Sequence, residues 1–190
     1  MVMKHTVKLT VLAITPVIGA LVIWGALILA LGAEHPVLVV EGHSMEPTLM
    51  PGDLIFVQAV RIEDVKAGPD GDIVAFYQPG SGKTKIIVHR AIRKIVNKNG
   101  VVGLVTKGDN VPFSDIWHIV DDGFVREVRY ITGEELIGKV VFRIPFLGAV
   151  VKFVRSPEGL CIVAFIYGLF LVQVSLAGSE KQEKGAVEKS

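Results

Sequence analysis

Apolar positions fall in two unbroken blocks with a patterned region between them. Leu9–Ala33 carries no charged residue. As a helix rising about 1.5 Å per residue it would span roughly 37 Å, more than the ~30 Å hydrocarbon layer of a bilayer, so the block predicts a transmembrane helix over residues 9–33. Pro16, Gly19 and Gly25 lie inside it and are tolerated in membrane helices, where neighbouring groups satisfy the freed backbone. A cleavable secretory signal is the competing reading, with Lys4 and Lys8 as its basic start and Ala30-Leu31-Gly32 or Leu31-Gly32-Ala33 as its cut site. Against it, the run is far longer than the usual apolar core of about 7–15 residues. The second block, Gly159–Ser179, predicts another transmembrane helix over 159–178, with a buried or interfacial hairpin as its alternative.

Between the blocks the period changes. Short runs rich in Val, Ile and Phe alternate with Gly, Pro, Asp and Asn. Strands are predicted at Val37–Glu41, Leu54–Val60, Asp72–Tyr77, Lys85–Ile95, Val101–Lys107 and Ile137–Arg143. Turns are predicted at Pro51-Gly52-Asp53, Gly68–Gly71, Pro79–Gly82, Asn97–Gly100 and Asp121-Asp122-Gly123. With no βαβ alternation and no repeat, the pattern gives a mainly β fold, an antiparallel β-domain built as a sandwich or partly open barrel and tethered by the two helices. Arg143–Arg155 is short, apolar and bracketed by cations. It reads either as a membrane-surface segment over 146–158 or as a last core strand or loop. The tail, residues 179–190, is polar and low in aromatics, so it is expected to be disordered or a frayed helix extension.

Composition adds bounds. Of 190 residues 51% are hydrophobic and the mean hydropathy is +0.52, which agrees with a membrane protein carrying one ordinary domain. A net charge of +1 gives no argument for nucleic acid. Cys161 stands alone, which excludes an internal disulfide framework. Lys4 and Lys8 precede the first block while Glu34 and His35 follow it, so the positive-inside rule puts residues 1–8 in the cytoplasm and the domain at 34–145 outside. A second crossing would return residues 179–190 to the cytoplasm, although Lys152 and Arg155 nearly balance Lys181 and Lys184 around that block.

Candidate chemistry gathers after the first strand. Ser44 lies between Gly42 and Pro47, where a sharp turn can expose a hydroxyl. A serine hydroxyl is a weak nucleophile and needs a base. His89, on an apolar strand that puts Ile87 and His89 on one face, is the best-placed imidazole. His5 is cytoplasmic, His35 borders the membrane, His43 adjoins the serine, and His118 is either core or surface. The segment from Thr106 to Asp115 supplies two carboxylates, Asp109 and Asp115, either of which could orient the histidine through its second ring nitrogen. Asp109, Asp115, Asp121 and Asp122 show no ligand-loop spacing, and Asp70-Gly71-Asp72 lacks the rest of a calcium loop, so neither a metal nor a cofactor is expected.

Gly42-His43-Ser44-Met45-Glu46-Pro47-Thr48, Pro51-Gly52-Asp53, Val88-His89-Arg90 and Lys107-Gly108-Asp109-Asn110 with Asp115 six residues on stand in this order. Together they resemble the signature boxes of type I signal peptidases over about Val37–Val141. Histidine at position 89, where bacterial members carry lysine, makes the chain similar to the archaeal and endoplasmic-reticulum branch. The resemblance implies a membrane-bound serine endopeptidase that removes signal peptides from exported preproteins. It makes Ser44 the nucleophile, His89 the general base, Asp115 the triad acid and Asp109 a supporting carboxylate, with the Ser44 backbone N–H as an oxyanion donor. Bacterial relatives carry a serine where Gly42 stands, which leaves the second oxyanion donor unassigned. The implied partners are secretory preproteins, the bilayer and the protein-export translocon. A relative dedicated to one pilin or pro-protein, a Ser-Lys variant using Lys83 or Lys85, and a non-catalytic tethered β binding domain remain as alternatives.

Overall fold

The computed structural model describes residues 2–98, 100–121 and 123–187. Asn99 of the predicted turn at 97–100, Asp122 of the turn at 121–123, and residues 188–190 of the tail lie outside them. The chain divides into two units, Leu27–Val150 and the pair of segments Met1–Ala26 and Val151–Ser190.

The first unit is an antiparallel β structure. Its strands are β1 (Val37–Val39), β2 (Leu54–Gln58), β3 (Ile73–Tyr77), β4 (Ile86–Asn97), β5 (Gly100–Lys107), β6 (Trp117–Asp121), β7 (Phe124–Val128) and β8 (Leu136–Ile144). Six of them form one sheet in the order β1-β2-β8-β3-β4-β5, and β6 and β7 form a separate ribbon. Alternation along β3 explains how one sheet feeds two cores. Ala75 and Tyr77 join Val40, Met45, Leu49, Ile55 and Val57 on one face, while Val74 and Phe76 join Val65, Ala91, Leu104 and Ile131 on the other.

All six predicted strands are present, with ends moved by a few residues. The ribbon is an addition to the expected set: its turn at 121–123 was visible, its two strands were not. Phe124 to Glu127 are all exposed, so no in-out alternation marks β7, and on β6 the exposed Val120 beside half-buried Ile119 breaks the apolar-polar alternation of the sequence. The segment after β8 is neither strand nor loop but helix α2 (Leu147–Arg155). A side chain at Gly148 would collide with Val39 and the carbonyl oxygens of Gly52 and Asp53. Lys152 and Arg155 occupy the last turn, where cations complement the helix dipole.

Helix α1 (Val2–Leu31), whose last turn belongs to the first unit, and helix α3 (Pro157–Val187) of the second unit contain stretches long and apolar enough to cross a membrane, Thr10–Leu31 and Pro157–Val174. The Tyr167 hydroxyl donates to the Leu12 carbonyl at 3.0 Å. Capping fixes two of the helix ends. Gly32, at φ +62°, donates its N–H to Ile28 O at 2.8 Å and ends α1 in the left-handed conformation that glycine adopts without penalty. Ser156 Oγ accepts the Gly159 N–H at 3.1 Å, with Pro157 at the first helical position of α3. The polar tail continues α3 as helix to Val187, in line with the helix-extension reading.

Candidate active site

Ser44 sits in the loop joining β1 to β2, and that loop is held from three sides. Met45 and Leu49 are buried in the core, and Leu49 N–H closes a turn onto Met45 O at 2.9 Å. Asp53, 1% exposed, accepts the Met50 N–H at 2.8 Å and the Phe146 N–H at 3.2 Å and pairs with Arg143. Arg143 also donates to the Thr48 carbonyl. Thus the Asp53 carboxylate ties the loop's exit to the end of β8.

The third hold comes from the turn after β5. Asn110 donates its backbone N–H to Ser44 O at 2.8 Å and its side-chain amide to His43 O at 3.1 Å. The Thr48 hydroxyl donates to Asp109 Oδ2 at 2.6 Å. Asp109 in turn accepts two parallel bonds from Arg90, at 2.8 and 2.6 Å, and Arg90 reaches Gly71 O at 2.8 Å. The Arg90 guanidinium holds the Asp109 carboxyl below the usual carboxylate range. A carboxyl lowered by folding contributes stability that is complete above its unfolded value and is lost as pH falls through the folded one, so this clamp weakens only in acid.

Gly108 is what allows the close approach. A Cβ there would lie 2.5 Å from Ser44 O and 3.0 Å from Ser44 Cβ. Gly108→Ala is therefore expected to push the serine out of line and lower turnover of any Ser44-dependent reaction by about 100-fold, the scale of a 1 Å misplacement at a reacting centre. Comparing kcat in the variant with its melting temperature checks this.

His89 lies in β4, only 9% exposed, with the Phe76 ring in a T-shaped arrangement beside it. Its Nδ1 is 2.6 Å from Asp115 Oδ2 and its Nε2 is 2.9 Å from Ser44 Oγ. A carboxylate can only accept, so Nδ1 carries the proton and the Nε2 lone pair accepts the serine hydroxyl. Asp115 is anchored to β5 twice: its N–H donates to Thr106 O at 2.9 Å, and the Thr106 hydroxyl donates to Asp115 Oδ2 at 2.7 Å. The three side chains form one hydrogen-bonded line, hydroxyl to imidazole to carboxylate. Such a line can carry a proton from the hydroxyl to the ring while the carboxylate stabilises the resulting imidazolium.

The two carboxylates that spacing left open are separated by the fold: Asp115 reaches His89, and Asp109 reaches Arg90 and Thr48. The other candidate bases go elsewhere. His43 meets Glu46 at 2.6 Å with its side chain 75% exposed, His35 meets the Tyr77 hydroxyl at 2.9 Å, and His118 is exposed on β6. Lys83 lies over the Tyr77 ring and Lys85 is exposed. The side chain of His5 falls outside those described. Among the described residues no three metal-ligating side chains converge. The sequence reading missed the roles of Thr106, Arg90, Asn110 and Asp53, whose hydrogen bonds leave no periodic signal in the chain.

A groove of about 530 Å³ runs beside Ser44 and His89, between Leu38–Gly42 on one side and Thr84–Val88 on the other. It exists because β5 pairs with β4 only from Arg90 onward, and because β1 is a sheet edge. On β4 the pairing with β3 uses the backbone groups of Lys85 and Ala91, so those of Ile86 and Val88 point away from β3. By the same alternation, Val39 points away from β2. An extended peptide has matching N–H and C=O groups for both edges.

Residues 7–115 match the profile of signal peptidase, peptidase S26, a span that takes in Ser44, His89, Asp109 and Asp115. The signal peptidase complex catalytic subunit SEC11C of human and of dog is 35% identical over 134 residues, 70% of this chain. The aligned region spans 64% of the length of those relatives. The signal peptidase complex catalytic subunit sec11 of Sclerotinia sclerotiorum is 37% identical over 134 residues, covering 69% of this chain and 70% of the relative. This chain belongs to the signal peptidase family, peptidase S26, in the branch of the endoplasmic-reticulum and archaeal type I enzymes.

Proposed function

We propose that this chain is a membrane-bound serine endopeptidase that removes N-terminal signal peptides from exported preproteins. The observation that carries the proposal is the line from Ser44 Oγ through His89 to Asp115, at 2.9 and 2.6 Å, opening on a groove between two strand edges. Ser44 Oγ attacks the carbonyl carbon at the end of the signal peptide as His89 Nε2 takes its proton. The imidazolium, held by Asp115, then protonates the leaving amine. Water then adds its oxygen to the acyl carbon as His89 takes its proton, and the imidazolium returns that proton to Ser44 Oγ as the acyl chain leaves as a carboxylic acid. The Ser44 N–H serves as one oxyanion donor. Gly42 lines the same groove, and a Cβ there would lie 3.9 Å from Ser44 Oγ.

The substrate lies extended between Val39 on one side and Ile86 and Val88 on the other, with small residues before the cut. Its apolar segment stays in the bilayer. Helices α1 and α3 span that bilayer, and α2 lies on its surface. Residues 1–8 and 179–190 face the cytoplasm, and the β-domain at 34–145 faces the extracytoplasmic side, or the lumen in a eukaryote. Sharing one membrane with the substrate raises its effective concentration at the groove. The translocon and further subunits are the proposed protein partners, the latter because the SEC11 relatives are named as subunits of a complex.

The test uses the full chain in liposomes with a reporter preprotein. Cleavage at the end of the signal peptide is expected, and for several unrelated preproteins. A folded wild-type chain that leaves all of them intact contradicts the proposal. In the same assay Asp115→Ala is expected to lower kcat/KM by about 1,000-fold or more, as loss of the orienting carboxylate does in a serine triad. Asp109→Ala is expected to cost roughly tenfold, through a loosened Ser44 loop. The reverse ranking moves the acid to Asp109.

A further inference from the structure

We propose that Thr106 is a positioning residue for this reaction, setting the rotamer of Asp115 through its hydroxyl; the proposal rests on the Ser44–His89–Asp115 reading. Thr106 is 1% exposed on β5, opposite Ala91 of β4, two strand positions from His89. Its hydroxyl and the His89 Nδ1–H converge on one oxygen, Asp115 Oδ2, at 2.7 and 2.6 Å. Its carbonyl takes the Asp115 N–H at 2.9 Å, so both ends of the aspartate are referred to the same residue.

The geometry matters because Asp115 stands on a loop, beyond the last residue of β5. An aspartate there has two free side-chain torsions, and its hydrogen bond to the imidazole fixes neither if the ring can follow it. Thr106 sits on a paired strand beside β4, which carries the histidine. The hydroxyl therefore passes the register of β4 against β5 to the carboxylate.

The hydroxyl also occupies one acceptor direction of the same oxygen that accepts the imidazole N–H, which keeps that oxygen directed at Nδ1 while His89 takes the serine proton.

The experiment compares Thr106→Val, which keeps the branched shape, with Thr106→Ser, which keeps the hydroxyl, in the full chain cleaving a reporter preprotein in liposomes. T106V is expected to lower kcat about tenfold or more, the scale of one hydrogen bond to a charged group, with KM within about twofold. T106S is expected to restore kcat to near the wild-type value, with melting temperatures of all three alike. An unchanged kcat in T106V overturns the proposal. So does T106S failing as badly as T106V, because the methyl and not the hydroxyl would then matter. Ser44→Ala run alongside separates the layers: cleavage surviving there overturns the serine-peptidase reading itself, whereas loss there with a normal T106V overturns only the role of Thr106.

Discussion

His89→Gln, with Lys83 and Lys85 left in place, is expected to lower kcat/KM about 1,000-fold or more while the preprotein still binds. General-base catalysis is worth about 100–10,000-fold, and residues that act as one unit lose nearly the whole effect when any of them is removed. His89 Nε2 lies 2.9 Å from Ser44 Oγ, whereas Lys83 is over the Tyr77 ring and Lys85 is exposed. The base in this assignment is the neutral ring, because a protonated imidazole cannot accept the hydroxyl proton. Glutamine retains a polar group at the buried site, and a melting curve separates lost chemistry from lost fold. If H89Q keeps most of its activity and a further Lys85→Ala removes it, the base is a lysine and the proton path described above is wrong.

The parts of the fold that face a core on one side and a turn at each end were legible in the sequence. Pro51-Gly52-Asp53 and Gly68–Gly71 are strong stop signals, and the Val, Ile and Phe runs between such signals became β1 to β5 and β8. The β6-β7 ribbon escaped because it stands apart from the main sheet and exposes Val120, Phe124 and Val125. Nothing in such a run distinguishes a strand from a polar loop with a few apolar residues. Helix α2 escaped for another reason. Its position depends on Gly148 packing against Val39, a partner more than one hundred residues earlier, which local pattern cannot express.

The candidate site divides in the same way. Ser44 and His89 could be singled out because their residue types and neighbours carry chemical meaning, and the ordered motifs pointed to Asp115. What spacing alone could not give, and only the resemblance implied, was the division of labour between two similar aspartates. Asp109 and Asp115 share one loop, and only the fold sends one to Arg90 and the other to His89. Thr106, Asn110 and Asp53 likewise act through hydrogen bonds set by tertiary register. Their side chains are common in turns and strand ends for local reasons, and only the fold shows that they hold the serine loop and its acid in place.

The most direct test removes a single atom from the line. Ser44→Ala deletes the hydroxyl and leaves the loop's holds untouched, since those use Met45, Leu49, Asp53, Thr48 and the Ser44 carbonyl. Cleavage of a reporter preprotein by the full chain in liposomes is expected to fall by at least about 10,000-fold, with preprotein binding and melting temperature unchanged. A Ser44→Ala chain that cleaves the same bond within about tenfold of the wild-type rate, a change under about 1.4 kcal/mol, would contradict the account.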